Sequence, residues 1–366
     1  MIPTHNRPQY LRRTLRYLSS CATSYPVIVA DSGDKESRIT NTSTVSSFSS
    51  MDILYRTFDA SPEPFGGFES KIIDALNHSN SKYCVLLADD DFIAGDGICQ
   101  CVDFLERNPG FAVAHGDYLY FWVDTSRKCV GWKPVYEGKS LTHPDPAFRL
   151  KYHLSHYPSD TTFYAVHQTA FLKHVLLQVI ESGLQSVVFR ELYSTGITVI
   201  HGKTKCLNIF YSAKDRYSGR VQSVPDIRRL RAGRAYRQEE NRFKDALASY
   251  LFEHSTLSAE ASRAAVEAAL SGYLEKVSSA EQMPVEQRCL ENTVIFARES
   301  LKSRGLGWIY DYFRRLYRKA FPKDIYSTRR YQFWIRVKGR LVWINYEEFK
   351  NTGKFALSNS LNMPSD

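Results

Sequence analysis

The sequence predicts an α/β fold: a mostly parallel sheet flanked by helices, followed by a helical C-terminal extension. Three observations carry this. Short apolar runs alternate with helical patterns through the first half of the chain, the order that builds βαβ units. Two of the runs end in acidic turns, 27–30 before Asp31-Ser32-Gly33-Asp34 and 83–88 before Asp89, Asp90 and Asp91. From about Asp226 the pattern becomes helical and rich in Lys and Arg.

The chain opens Met1-Ile2-Pro3-Thr4-His5-Asn6-Arg7-Pro8. A helix is expected over 9–21, with Tyr10, Leu11, Leu15 and Leu18 roughly on one face. Residues 27–30 read as a short buried strand, which completes a βαβ unit. The Ser- and Thr-rich stretch 36–50 reads as a loop or a poorly ordered helix. Another strand is expected over 52–56. Pro62 to Phe68 contains Gly66-Gly67 and reads as a turn before a helix over 69–78, with Lys71 in its first turn. The run 83–88 is continuous and uncharged, as in a strand buried on both faces of a parallel sheet. A helix to about Asn108 follows, stopped by Pro109-Gly110. Then come a strand over 111–117, a ribbon over 118–123 and 130–136, and a helix over 168–182. Further helices are expected over 226–254, 258–277 and 283–304. The natural division is 1–220, carrying the sheet, and 221–366, mainly helical and basic.

Ligands of parallel sheets bind outside the carboxyl ends of the strands. Three consecutive carboxylates at such an edge repel one another unless a cation sits among them. A divalent metal holding a diphosphate explains them economically. An exposed acidic turn capping the next helix is the plainer alternative. His115, on an apolar strand, reads as a core histidine. Between His143 and His167 the chain is rich in Tyr, His, Pro and Asp, including Tyr152, His156, Tyr157, Asp160 and Tyr164. Such a mixture suits a wall that binds sugar through C–H faces and hydroxyls, or an ordinary connection. Arg216 and Arg220 lie on a Ser- and Gly-containing loop that could close over a diphosphate.

The blocks I-P-T-H-N-R, V-I-V-A-D-S-G-D and Y-C-V-L-L-A-D-D-D-F together resemble a nucleotide-diphospho-sugar glycosyltransferase of the GT-A type. Within that group the chain is similar to family 2 enzymes, above all the bacterial subgroup that makes surface polysaccharides. The resemblance covers about residues 1–220. It implies nucleotide contacts at Pro3, Thr4, Asn6, Arg7, Asp31, Lys71, Asp89 and Arg216, with Asp31 hydrogen-bonding the base. It implies Mn²⁺ or Mg²⁺ at Asp89, Asp90 and Asp91. Ala88 stands where the family has its first Asp, which makes Asp90 the best single ligand. His201 could add a metal or phosphate contact. Glu191 matches the family's acidic residue facing the acceptor, and an inverting transfer needs such a carboxylate to take the hydroxyl proton. Asp160 is the alternative base. The family's first strand carries several apolar residues before Pro-Thr. Here only Met1 and Ile2 precede it, so a truncated strand is expected.

Composition narrows the partners. The 366 residues are 43% apolar and 24% charged, as in ordinary globular proteins. The net charge of +9 and pI of about 9.1 call for an anionic partner. The expected partners are the donor, a glycan or lipid-linked acceptor and an anionic membrane surface. Trp334 and Trp343 amid the basic stretch 311–345 favour that surface. No run approaches a membrane span, and no secretory signal precedes the first strand. The seven cysteines show no metal spacing and read as reduced thiols. The expected place is the cytoplasm, peripheral on the inner face of the membrane. A sugar-nucleotide nucleotidyltransferase would need a Gly-rich, basic loop after the first strand, where the chain has His5-Asn6-Arg7-Pro8. A nucleic-acid-binding protein would leave the acidic cluster unexplained, and no nucleic-acid module is recognisable.

Overall fold

The structure, a computed structural model, describes residues 1–21, 25–59, 67–124, 129–134, 139–157, 162–215, 236–279, 332–337 and 340–345. Strands β1 (Ile2–Thr4), β2 (Val27–Asp31) and β3 (Ile53–Thr57) form a parallel sheet in that order. Thr4 lies in register with Asp31, so two ligand-facing strand ends coincide. Parallel neighbours need crossovers, and α1 (Pro8–Ser20) and α2 (Lys35–Ser46) supply them. Pro8 opens α1, where its missing N–H costs nothing. Leu11, Leu15 and Leu18 face the core as expected. Of the two readings of 36–50, a loop or a poorly ordered helix, the structure shows a helix. Its Ser and Thr residues give almost no apolar periodicity. Asp34 nevertheless caps it, accepting from the Ser37 N–H at 2.8 Å, and Asn41 and Thr44 are buried.

The expected strand over 83–88 is shorter than its apolar run. β4 is Tyr83–Val85 and half-buried, and it pairs antiparallel with β8 (Val166–Gln168) rather than parallel. Leu86 and Leu87 are buried beyond it. The Met1 ammonium donates to the Val85 carbonyl at 3.1 Å, and the Leu87 N–H donates to the Met1 carbonyl at 2.9 Å. These two bonds tie the parallel sheet to the mixed one. They also set the acidic turn beside the carboxyl end of β1.

Helices α3 (Phe68–Asn77) and α4 (Gly95–Arg107) follow the expected pattern. On α4, Cys99 is exposed and Cys101 buried, so the two thiols point to different sides. β5 (Phe92–Ile93) pairs antiparallel with β9 (Lys203–Asp215). β6 is one strand, Phe111–Asp124, where a strand and a ribbon were expected; β7 (Cys129–Pro134) pairs with it antiparallel. β6 runs parallel to β9, with a register shift between His115 and Asp117. Gly116 sits at that shift because a Cβ there would stand 2.6 Å from the Ile209 carbonyl oxygen.

The remaining helices are α5 (Pro146–His156), α6 (Thr169–Glu181), α7 (Val187–His201), α8 (Tyr236–Glu253) and α9 (Ala259–Ser279). They share one core, in which Leu150, Phe189, Leu192, Phe243, Leu247, Val266 and Leu270 are buried. The last two helices therefore pack directly on segments from the first half of the chain. The expected helix over 283–304 lies outside the described residues. Within 311–345, β10 (Gln332–Val337) and β11 (Arg340–Asn345) form an antiparallel hairpin, and β11 pairs with β9 at Trp343 and Ile209. Phe, Ile, Val and Trp suit a pleated strand, a preference masked in sequence by the surrounding basic charge. Among the described residues, no helix is long and apolar enough to cross a membrane.

Candidate active site

The topology brings the ends of β1 and β2, the acidic turn and the end of β9 to one edge. Asp89 is buried there at 3% exposure. Its Oδ2 accepts from the Thr4 hydroxyl at 2.7 Å and its Oδ1 from Arg7 at 2.9 Å. The second Arg7 nitrogen reaches Asp90 Oδ2 at 2.7 Å. Asp91 accepts the Asp215 N–H at 3.0 Å and lies 3.7 Å from the Lys214 ammonium. Arg13, buried on α1, donates to Asp215 at 3.0 Å and to the Asp90 carbonyl at 2.5 Å. The Thr14 hydroxyl holds the Asp89 carbonyl at 2.7 Å. The cations that three adjacent carboxylates demand are thus in part the chain's own. Burial still dominates. It pushes the Asp89 carboxyl up to about 7 against the pull of Arg7, and Asp91 to about 7 against Lys214.

Arg7 follows a tight turn. Asn6 adopts φ +52°, a left-handed conformation that Asn tolerates better than most residues. Its Oδ1 accepts the Asp34 N–H at 2.7 Å, which fixes the turn against the end of β2. Pro3 sits in β1, in register with Ala30. Lys71, buried on α3, donates to the Ser32 hydroxyl at 3.0 Å. Burial pulls its ammonium down to about 8 against the attraction of Asp31 and Asp89.

Asp31 is fully buried. Its carboxylate accepts Gly33 N–H at 2.7 Å, Asn41 Nδ2 at 2.8 Å and the Tyr55 hydroxyl at 2.6 Å. These three donors enclose it at the carboxyl end of β2. His201 does not join the acidic group. It ends α7, ten residues or roughly 15 Å beyond Glu191 at the helical rise. Its ring stacks on Phe171 at 4.2 Å and lies 3.3 Å from the Tyr250 hydroxyl. Burial, with His254 and His174 nearby, pulls it down to about 4. Arg190, next to Glu191, forms an ion pair with Glu69 on α3. Asp160 and Arg216 lie outside the described residues. His115 is fully buried against Tyr118 and Tyr211, as a core histidine should be.

Glu191 is exposed on α7, and the Tyr157 hydroxyl donates to its Oε1. Tyr164 links the two acidic regions. Burial raises its phenol far above the usual range, and the charges of Asp91, Glu191, Asp90 and Asp89 add to that. The Lys214 ammonium lies 3.6 Å over its ring. Sequence reasoning placed Tyr157 and Tyr164 in a candidate sugar-binding wall but missed Arg13, Thr14, Lys214 and Asp215 as members of this site, although signals existed for all four. Arg13 and Thr14 interrupt the apolar face of α1. Lys214 and Asp215 end an apolar strand, as the acidic turn does.

Among the described residues, no three His, Cys, Asp or Glu side chains form a ready-made metal cage. The acidic turn supplies hard oxygen donors, and Asp90 is its least buried side chain at 14%, against 4% and 9% for its neighbours. Mg²⁺ is usually held by one or two carboxylates plus substrate phosphates rather than by an all-protein cage. Asp90 and Asp91 fit an ion that arrives with a diphosphate.

Residues 1–164 match the family model described as glycosyl transferase family 2. No curated protein matches the chain. Among solved structures, S. aureus TarS residues 1–349 is 12% identical, covering 93% of this chain and 94% of that one, with a TM-score of 0.44. The same protein in complex with UDP-GlcNAc gives the same identity and coverage and a TM-score of 0.47. The mannosyltransferase PcManGT from Pyrobaculum calidifontis, in complex with GDP-Man and Mn²⁺, is 13% identical over 88% of this chain and 86% of that one, with a TM-score of 0.38. Scores below 0.5 carry no argument about chemistry.

Proposed function

We propose, from the match of residues 1–164 to the glycosyl transferase family 2 model, that the enzyme, a glycosyltransferase of the GT-A type, transfers a sugar from a nucleotide-diphospho-sugar to a hydroxyl of a surface glycan or lipid-linked acceptor. The observation that carries the proposal is the edge where Arg7 and Lys214 meet Asp89, Asp90 and Asp91, with Lys71 held on Ser32 at the end of β2. Strand ends are where an α/β sheet binds ligands, and cations and carboxylates together suit a diphosphate.

In this reading Arg7 turns part of its fork from the carboxylates to the diphosphate, and Lys71 adds a second positive charge. Asp90, with Asp91, would hold Mn²⁺ or Mg²⁺, which when bound offsets charge on the departing diphosphate. Glu191 takes the proton of the acceptor hydroxyl as its oxygen attacks the anomeric carbon, so the configuration inverts. Asp160 is the alternative base, and the loop carrying Arg216 would close over the donor. An anionic membrane surface is the proposed place of work, on charge balance alone.

A screen of UDP-, GDP-, CMP- and dTDP-sugars for hydrolysis, with and without Mn²⁺, tests the proposal. One nucleotide class should be consumed; a folded protein that consumes none contradicts it. Lys71 adds a pH dependence. Its ammonium has a pKa of about 8 in the free protein, and a neighbouring diphosphate favours the charged form. Binding is then tightest below about 8 and weakens as pH rises through that value. Affinity for a nucleoside diphosphate, titrated from pH 7 to 9.5, should fall; in Lys71→Met it should be weaker throughout and flatter with pH. An equal slope in both proteins removes Lys71 from the donor site.

A further inference from the structure

We propose that helix α9 completes the acceptor side of the active site, with Tyr157 as a positioning residue that aims Glu191. This rests on Glu191 being the base. Tyr157 lies just past the end of α5, and each part of it is held. Its hydroxyl donates to Glu191 Oε1. Its carbonyl accepts from the Lys276 ammonium of α9 at 2.9 Å. Its ring meets Tyr273 of α9 edge-on at 6.0 Å, and His153 of α5 at 5.7 Å. Helix α9 packs against α5 at Gly272, where a Cβ would stand 2.6 Å from the Ser155 hydroxyl oxygen and 4.0 Å from its Cα. Tyr273 is the next residue and is 7% exposed.

The physical reason for such a brace lies in Glu191 itself. An exposed glutamate on a helix has three rotatable bonds, and ordering it costs side-chain entropy. A general base works only within hydrogen-bond reach of the proton it removes. Holding Oε1 on a fixed phenol limits the rotamers and leaves Oε2 to meet the acceptor hydroxyl. Burial raises the phenols of Tyr157, of Tyr273 on α9 and of Tyr164 on the short turn Thr162–Tyr164, and the Glu191 charge adds to each. The neighbouring Arg190 is directed to Glu69 instead. A catalytic carboxylate thus takes its aim from Tyr273 and Lys276, 82 and 85 residues further along the chain, on a helix beyond the segment that matches the family model.

The test uses the full chain, nucleotide release from the sugar-nucleotide panel with water as acceptor, and calorimetry with UDP, GDP, CMP and dTDP. Tyr157→Phe keeps the ring and its packing. It should lower kcat about tenfold, the loss expected for one hydrogen bond to a charged group, and leave nucleotide affinity unchanged. In a Glu191→Gln background the same change should add nothing, since Tyr157 acts through Glu191. Tyr273→Leu, which keeps apolar volume but removes the ring, should lower kcat about threefold at unchanged affinity. Wild-type kcat in Tyr157→Phe, or an equal loss in the Glu191→Gln background, would overturn the positioning role. Wild-type kcat in Tyr273→Leu overturns the part played by α9. If Glu191→Gln itself keeps full kcat, the base assignment and this inference fall together. If Glu191→Gln loses activity and Tyr157→Phe does not, only this inference falls.

Discussion

Glu191→Gln is expected to lower sugar transfer by roughly two to four orders of magnitude, the range for losing a general base, while nucleotide binding stays nearly intact. The separation follows from geometry. Glu191 lies on α7, exposed and hydrogen-bonded to Tyr157, whereas the donor cations cluster at the strand ends around Asp89. Gln keeps the side-chain length and can still accept from the Tyr157 hydroxyl. It removes basicity and leaves the packing of α7 alone, so the melting temperature should change little. Transfer rate and nucleotide affinity, measured side by side, check this. If transfer survives in Glu191→Gln and is lost in Asp160→Asn, the base is Asp160. If both variants keep transfer, the inverting mechanism itself is in question.

Arg7→Met should act on the other side of the reaction. One guanidinium serves Asp89 at 2.9 Å and Asp90 at 2.7 Å, with side-chain exposures of 21%, 4% and 14% for Arg7, Asp89 and Asp90. Met fills similar space and removes the charge. Asp89, already raised to about 7, loses its main stabilising partner and is driven further toward its neutral form. Two losses are expected together. Nucleoside diphosphate affinity should fall at least tenfold, since a bidentate Arg–phosphate contact is among the stronger hydrogen-bonded pairs. Stability should fall by roughly 1–3 kcal/mol, the cost of stripping a partner from a buried polar group. Calorimetry and thermal melting measure both. A variant unchanged in both would show that Arg7 is a bystander.

What the sequence disclosed, and what it hid, follows from which interactions are local. The βαβ opening was legible because Leu11, Leu15 and Leu18 repeat at helical spacing and 27–31 is an uncharged run ending in Asp. The acidic turn was legible because three adjacent carboxylates require a compensating cation. The identity of that cation was only half legible. Arg7 stood in a recognisable block, but Lys214 is brought to Asp91 by the pairing of β5 with β9, a contact across more than 120 residues. Helix α2 was left open between a loop and a poorly ordered helix because its stability comes from the Asp34 cap and buried Asn41, not from an apolar stripe. The partners of Asp31 were hidden for a related reason: Asn41 and Tyr55 reach it from α2 and β3, and no spacing rule predicts that enclosure. His201 shared an apolar helix with Glu191, and only the helical rise separates the two in space.

The most direct test is a calorimetric titration of nucleoside diphosphates into the wild-type protein and Asp90→Ala, each with and without Mn²⁺. A donor site at the acidic turn predicts that one nucleoside diphosphate binds the wild type, more tightly with Mn²⁺ present. It also predicts that Asp90→Ala binds it at least tenfold more weakly, the loss of one charge-assisted contact in the metal–diphosphate clamp. A folded wild-type protein that binds none of them, or binding identical in Asp90→Ala, would contradict a sugar-nucleotide site at the acidic turn.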